Sequence, residues 1–170
     1  PHREKLGWTG DGWIASELGL GYFDTTAVYE KWFADVVDTQ LKSGRICSIA
    51  PTGGWGYEWF TGPVFDAVVG MLPWNLWRFC GDRAAIDRAY GPLKAYLAYE
   101  KSIESAPGLV KNGLGDWNAA NRKHMPESEY VISCFYMRLK EVAAQMAEVK
   151  GLGGEAQAFR ASAGETRRAI

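Results

Sequence analysis

Val64-Phe65-Asp66-Ala67-Val68-Val69-Gly70-Met71-Leu72-Pro73-Trp74-Asn75-Leu76-Trp77-Arg78-Phe79-Cys80 is the stretch on which the fold turns. It is apolar almost all round, and at this length it reads as a helix enclosed on every side, with a kink expected at Pro73. The turn Gly81-Asp82 leads with almost no gap into residues 83–105, where Arg83, Asp87, Arg88, Lys94, Glu100 and Lys101 mark a helix with a wet face. An enclosed helix followed at once by a charged one is a hairpin with an inside and an outside.

The same order recurs on both sides. Upstream, residues 12–18 form a short apolar helix stopped by Gly19-Leu20-Gly21. Asp24 then caps a helix over residues 25–43, where Val28, Trp32, Val36 and Val37 recur at helical spacing, opposite the i,i+4 pairs Lys31/Asp35 and Asp38/Lys42. Downstream, Pro126 opens a helix to residue 150 with Tyr130, Val131, Cys134, Phe135, Leu139, Val142 and Met146 on its apolar face. A glycine break at 151–154 precedes a last helix with Ala156, Phe159, Ala163 and Arg167 on one side. No stretch alternates as a strand would. Short connections therefore separate the members of three hairpins, and the long loops 44–62 and 106–125 join one hairpin to the next. The expected class is all-α, with apolar inner helices wrapped by polar outer ones. Each long loop, like the opening segment, enters an inner helix, so all three belong to one rim.

That rim carries the chemistry. Its opening segment, Pro1-His2-Arg3-Glu4-Lys5-Leu6-Gly7-Trp8-Thr9-Gly10-Asp11, sets two carboxylates, three bases and an indole together. Gly7 and Gly10 are expected to free the backbone, so that a shaped loop aims Glu4 and Asp11. The second rim segment holds Trp55, Tyr57 and Trp59 among glycines, and the third holds Asp116 and Trp117. Carboxylates are what glycoside hydrolysis uses, and indole faces suit the C–H surfaces of sugars. Each residue also has a plainer reading: Glu4 as a surface ion pair between bases, Asp11 as a helix cap, and Asp66 as an acid that either reaches the cavity or satisfies exposed helix amides. Trp13, Trp32, Trp74 and Trp77 lie at helical spacing and belong to the core.

Composition removes other classes. A net charge of -1, with no concentration of Lys and Arg, gives nothing to grip a phosphate backbone, so no nucleic acid is expected. No run is long and apolar enough for a membrane span. His2 and His124 are too isolated for a metal site, and Cys47, Cys80 and Cys134 are spaced like buried thiols rather than ligands or disulfides. No cofactor is implied. A hydrophobic share of 47% over 170 residues is ample for one core.

The opening segment resembles the signature of the α-L-rhamnosidases of glycoside hydrolase family 78, where an Asp-Cys-Pro-x-Arg-Glu-like run leads into Leu-Gly-Trp-Thr-Gly-Asp. Asp66-Ala67, Pro73-Trp74 and Gly81-Asp82 look like that family's second inner helix and the turn after it. Gly115-Asp116-Trp117 resembles the next rim loop, and residues 126–170 are similar to the hairpin that follows. The resemblance implies an (α/α)6 barrel, with residues 1–170 as the N-terminal portion, about the first half, of one catalytic barrel domain. Its partners would be the remainder of that barrel, flanking β-domains and a rhamnose-containing carbohydrate.

The resemblance also implies an inverting mechanism with Glu4 as general acid, Asp11 holding rhamnose hydroxyls, and Arg3 and Trp8 lining the same pocket. Trp55, Trp59, Asp66, Asp116 and Trp117 are the further substrate-binding candidates. The general base would be a glutamate beyond Ile170, roughly 6.5–9.5 Å from the acid in the folded site. Arg3 and Lys5 favour the Glu4 carboxylate, so burial, Asp11 and the wall of Trp8 must outweigh them. Residues 1–170 alone are expected to be inactive and poorly stable, because an open half-barrel leaves inner-helix flanks uncovered. Two other readings use the same residues: an inverting glycosidase of different sugar specificity, or a noncatalytic helical module that binds glycans on its aromatic rim.

Overall fold

The computed structural model describes residues 5–170. Its helices are α1 (Thr9–Tyr22), α2 (Thr26–Asp38), α3 (Pro63–Asp66), α4 (Val68–Cys80), α5 (Arg83–Ser102), α6 (Ser128–Val149) and α7 (Gly153–Ala169), with a 3₁₀ turn at Arg122–His124. Among the described residues there is no β-strand, only the isolated bridges Trp8 to Ile49 and Ala106 to Leu109. No described helix is long and apolar enough to cross a membrane.

α4 is the hub, packed against α1, α2, α5 and α6. Its residues explain this: Val68, Val69, Gly70, Met71, Leu72, Pro73, Asn75 and Leu76 are all buried, so every face needs a neighbour. Asn75 is the one polar side chain among them, and its amide donates to Ser16 Oγ of α1 at 2.9 Å. α1/α2, α4/α5 and α6/α7 form three hairpins, and the core between them is filled by Phe33, Val36, Leu72, Leu76, Ile86, Leu93, Ile132, Leu139 and Met146. Trp13 is in the core, and Trp32, Trp74 and Trp77 pack partly buried against it.

The α4/α5 turn follows its sequence closely. Gly81 closes α4 at φ +69°, a left-handed conformation that favours glycine, and the Asp82 carboxylate accepts the Ala85 N–H at 3.1 Å to cap α5. Elsewhere the boundaries move. α1 begins at Thr9 and runs through Gly19 and Gly21, because neighbouring rings fill the space that its glycines leave: a β-carbon on Gly12 would lie 2.0 Å from the Trp32 ring, and one on Gly19 would lie 2.7 Å from Tyr29. A glycine costs only about 1 kcal/mol in a helix, and packing of this kind offsets it. α2 stops at Asp38, where Thr39 returns its hydroxyl to Val36 O at 2.7 Å. Lys31 pairs with Asp35, whereas Lys42 lies beyond the helix end, and α2 is preceded by Thr25 rather than capped by Asp24. The enclosed run stays helical through Pro73 and is interrupted earlier, at Ala67 between α3 and α4.

Of the three thiols, Cys47 is buried and Cys134 half-buried, but Cys80 is exposed because it ends α4, with Sγ 3.3 Å from Thr26 Oγ1. α1 and α2 leave Ile14, Leu18 and Val28 more than half exposed.

Candidate active site

Three segments meet at one rim, as the alternation of loop lengths requires. The strand-like residues 7–9 run antiparallel to 48–50: Thr9 N–H donates to Ser48 O and Ala50 N–H to Gly7 O, both at 2.9 Å. The second segment is tied to the third by Leu114 N–H to Thr61 O at 3.2 Å. Gly7 is needed here for closeness rather than for backbone freedom, since a β-carbon would sit 2.2 Å from Ala50 O. Gly10 likewise lies under the Phe65 ring, and neither glycine has a left-handed φ. Residues 7–11 are therefore not a free loop, and Asp11 belongs to the first turn of α1.

This stitching brings the rings together. Trp8 stacks on Trp59 with centroids 4.9 Å apart and an interplanar angle of 25°, Trp55 meets Trp59 edge-on at 4.8 Å, and Phe65 meets Trp8 edge-on at 5.9 Å. Tyr57 turns the other way and donates its hydroxyl to Thr39 O at 2.8 Å. A cleft of about 520 Å³ opens over this wall, lined by Leu6, Trp8, Asp11, Trp59, Phe65, Leu114 and Trp117. It adjoins a hollow of about 690 Å³ that shares Asp11, Phe65 and Trp117 and adds Asp116, and another of about 430 Å³ that shares Trp8 and Asp11 and runs to Val28 and Trp32. Asp11 is common to all of them, exposed at their junction.

Asp66 is placed differently. It is 4% exposed, faces the interior, and accepts from Thr61 Oγ1 at 3.4 Å. Burial, with the charge of Glu100 added to it, pushes its carboxyl well above the usual carboxylate range. Glu100, which the sequence places among the wet charges of α5, is 1% exposed, and burial raises it to about 7. The Tyr96 hydroxyl lies beside both acids and is itself pushed up by burial and by their charges.

The structure thus gathers Asp11, Trp8, Trp59, Asp116 and Trp117 around the cleft, sets Trp55 behind its wall, and keeps Asp66 away from it. Arg3 and Glu4 lie outside the described residues. Sequence reasoning missed Leu6, Phe65 and Leu114 as lining; Phe65, between the rim and α4, was the one with a positional signal. Among the described residues no group of His, Cys, Asp and Glu is arranged to hold a metal ion.

Helical hairpins with an acid at the junction of ring-lined hollows on one rim define a helical-barrel domain of the glycosidase type. The sequence profile of the bacterial alpha-L-rhamnosidase 6 hairpin glycosidase domain matches residues 1–170, and the chain belongs to that family. An alpha-L-rhamnosidase of Streptomyces avermitilis is 27% identical over 87% of this chain and 14% of its own length, and one of Formosa agariphila is 22% identical over 95% of this chain and 18% of its own. The crystal structure of Streptomyces avermitilis alpha-L-rhamnosidase complexed with L-rhamnose superposes with a TM-score of 0.86 at 25% identity, covering 98% of this chain and 16% of that one. The alpha-L-rhamnosidase from Dictyoglumus thermophilum also gives 0.86, at 21% identity, over 98% of this chain and 19% of its own. The chain spans less than a fifth of the length of these relatives.

Proposed function

We propose that the intact protein is an inverting α-L-rhamnosidase that releases terminal α-L-rhamnose from glycans or glycosides. The observation that carries this reading is Asp11 at the junction of hollows walled by Trp8, Trp59 and Trp117, in a chain of the rhamnosidase family. Glu4, seven positions before Asp11 in the opening motif, gives its proton to the departing glycosidic oxygen. Asp11 holds sugar hydroxyls and supports the positive charge that develops on the ring, and Arg3 lines the same pocket. Trp8, Trp59 and Trp117 offer faces to the sugar, with Trp55 supporting the first two and Asp116 adding an acceptor. The general base comes from the remainder of the barrel, and flanking β-domains complete the protein. The uncovered Ile14, Leu18 and Val28 support this division of the site between parts of one barrel. A noncatalytic glycan-binding rim would use the same rings, and Asp11 as a hydroxyl acceptor, but has no need of Glu4.

The test is Glu4→Gln in the intact protein, assayed on an aryl α-L-rhamnoside. The expected loss in kcat/KM is about 10³-fold; turnover near wild type would sink Glu4 as the acid. NMR of the freshly released sugar should show the β anomer first, and an initial α anomer would overturn inversion. Cleavage of a different aryl glycoside would overturn only the choice of sugar.

A further inference from the structure

The aromatic wall stands on a glycine-rich loop. Gly54 and Gly56 both have left-handed φ values, a β-carbon on Gly53 or Gly54 would meet nothing within 4 Å, and the bonds Trp55 N–H to Thr52 Oγ1 at 2.8 Å and Gly56 N–H to Glu58 Oε2 at 2.9 Å join residues 52–58 to one another. Trp59 nevertheless lies stacked on Trp8. Its backbone shows how it is held. Arg45 Nη2 donates to Trp59 O at 3.0 Å and also to Tyr57 O, and the Arg45 guanidinium lies 4.2 Å from the centre of the Phe60 ring. Ser48 Oγ reaches the same Trp59 carbonyl at 3.2 Å and pairs with Thr61 Oγ1 at 2.7 Å. Thr61 in turn donates to Asp66. Arg45 also lines a small cavity with Thr61, Asp66, Glu100 and Asn112 and with the apolar Phe60 and Ile103.

We propose that Arg45 is a positioning residue for the aromatic wall, fixing Trp59 against Trp8 through the backbone of residues 57–59, and that the buried Asp66 and Glu100 carboxyls anchor its charge from below. The arrangement assigns a use to two acids that do not face the cleft. Arg45 bonds two carbonyls of the loop and stacks on a third residue, which a planar donor set does well and a flexible ammonium less well. Two carboxyls and one guanidinium line one cavity; burial raises both carboxyls, and the Arg45 charge favours the carboxylate form of Asp66.

The kinetic arm of the test rests on the rhamnosidase reading; the spectroscopic arm does not. In the intact protein, the circular dichroism couplet of the stacked indoles is measured for wild type, Arg45→Met, Arg45→Lys and Trp59→Ala, the last giving the spectrum of a wall without the stack. Arg45→Met should move the couplet most of the way to that of Trp59→Ala and raise KM for an aryl α-L-rhamnoside about tenfold, with kcat within about twofold, since what is lost is binding rather than a transition-state contact. Arg45→Lys should recover part of both. An unchanged couplet and KM in Arg45→Met would overturn the proposal. Should Arg45→Met lose its helical signal, the double variant Asp66→Asn, Glu100→Gln decides: the couplet should weaken in the same direction, and an unchanged couplet and KM overturns the anchoring. If wild type does not turn over the rhamnoside, the enzyme reading fails while the couplet still tests the positioning.

Discussion

Asp11 and Asp66 each stand beside aromatic side chains in the first turn of a helix on the inner row, yet one is exposed at the meeting of several hollows and the other is 4% exposed. Asp11 has Trp8, Trp59 and Trp117 around open space; Asp66 has Tyr96, Glu100 and Thr61 pressed against it. The density of acids and rings is similar, so density alone does not mark a site. What separates them is the backbone in front of each. The stitched rim holds Asp11 open, whereas the Thr61-Gly62 turn closes over Asp66, with Gly62 at φ +66° and no room for a β-carbon beside Asn112 O.

The largest effect that could break this contrast is Asp11→Ala. It should lower kcat/KM of the intact protein by about 10²–10³-fold while shifting stability by no more than about 1 kcal/mol, because a first-turn carboxylate contributes little more than that to its helix. A variant that loses fold and activity together would place Asp11 with Asp66 as structural.

The next effect belongs to the interior. Glu100 is raised from 4.5 to about 7 by burial, so its contribution is fully present below pH 4.5 and is lost as pH rises through about 7. Glu100→Gln should therefore match wild type in acid and exceed it by about 2–3 kcal/mol above pH 7. Denaturant unfolding at several pH values measures this; a gain that grows towards acid would reverse the sign. Trp117→Ala comes third. Its ring is 71% exposed, so the change should raise KM by about two- to tenfold and leave the melting temperature unmoved. Lys31→Ala sets the lower end: the Lys31–Asp35 pair lies in water, and removing it should cost less than about 0.5 kcal/mol in the same unfolding assay.

The hairpins were legible because their signals are local. An all-round apolar run, a left-handed Gly81 and a capping Asp82 lie within one stretch of chain and need no distant partner to be interpreted. The rim was legible one level up, from the alternation of loop lengths. The path of α1 through its glycines was not, because the rings that fill them come from residues 29, 32 and 65, and no local rule announces that they will arrive. Glu100 was hidden for the opposite reason. It shares α5 with charges that do face water, and only the packing of α5 against its neighbours turns that one position inward. Asp66 carried two readings in the sequence, and the structure supplies a third, an acid facing Thr61 beneath the rim.

The main-chain bonds that join residues 7–9 to 48–50, and Thr61 to Leu114, have an evolutionary consequence. They use peptide groups, which any residue but proline can supply, with Gly7 kept where a β-carbon would meet Ala50 O. Side chains facing the cleft can therefore be exchanged one at a time without unfastening the belt that carries them.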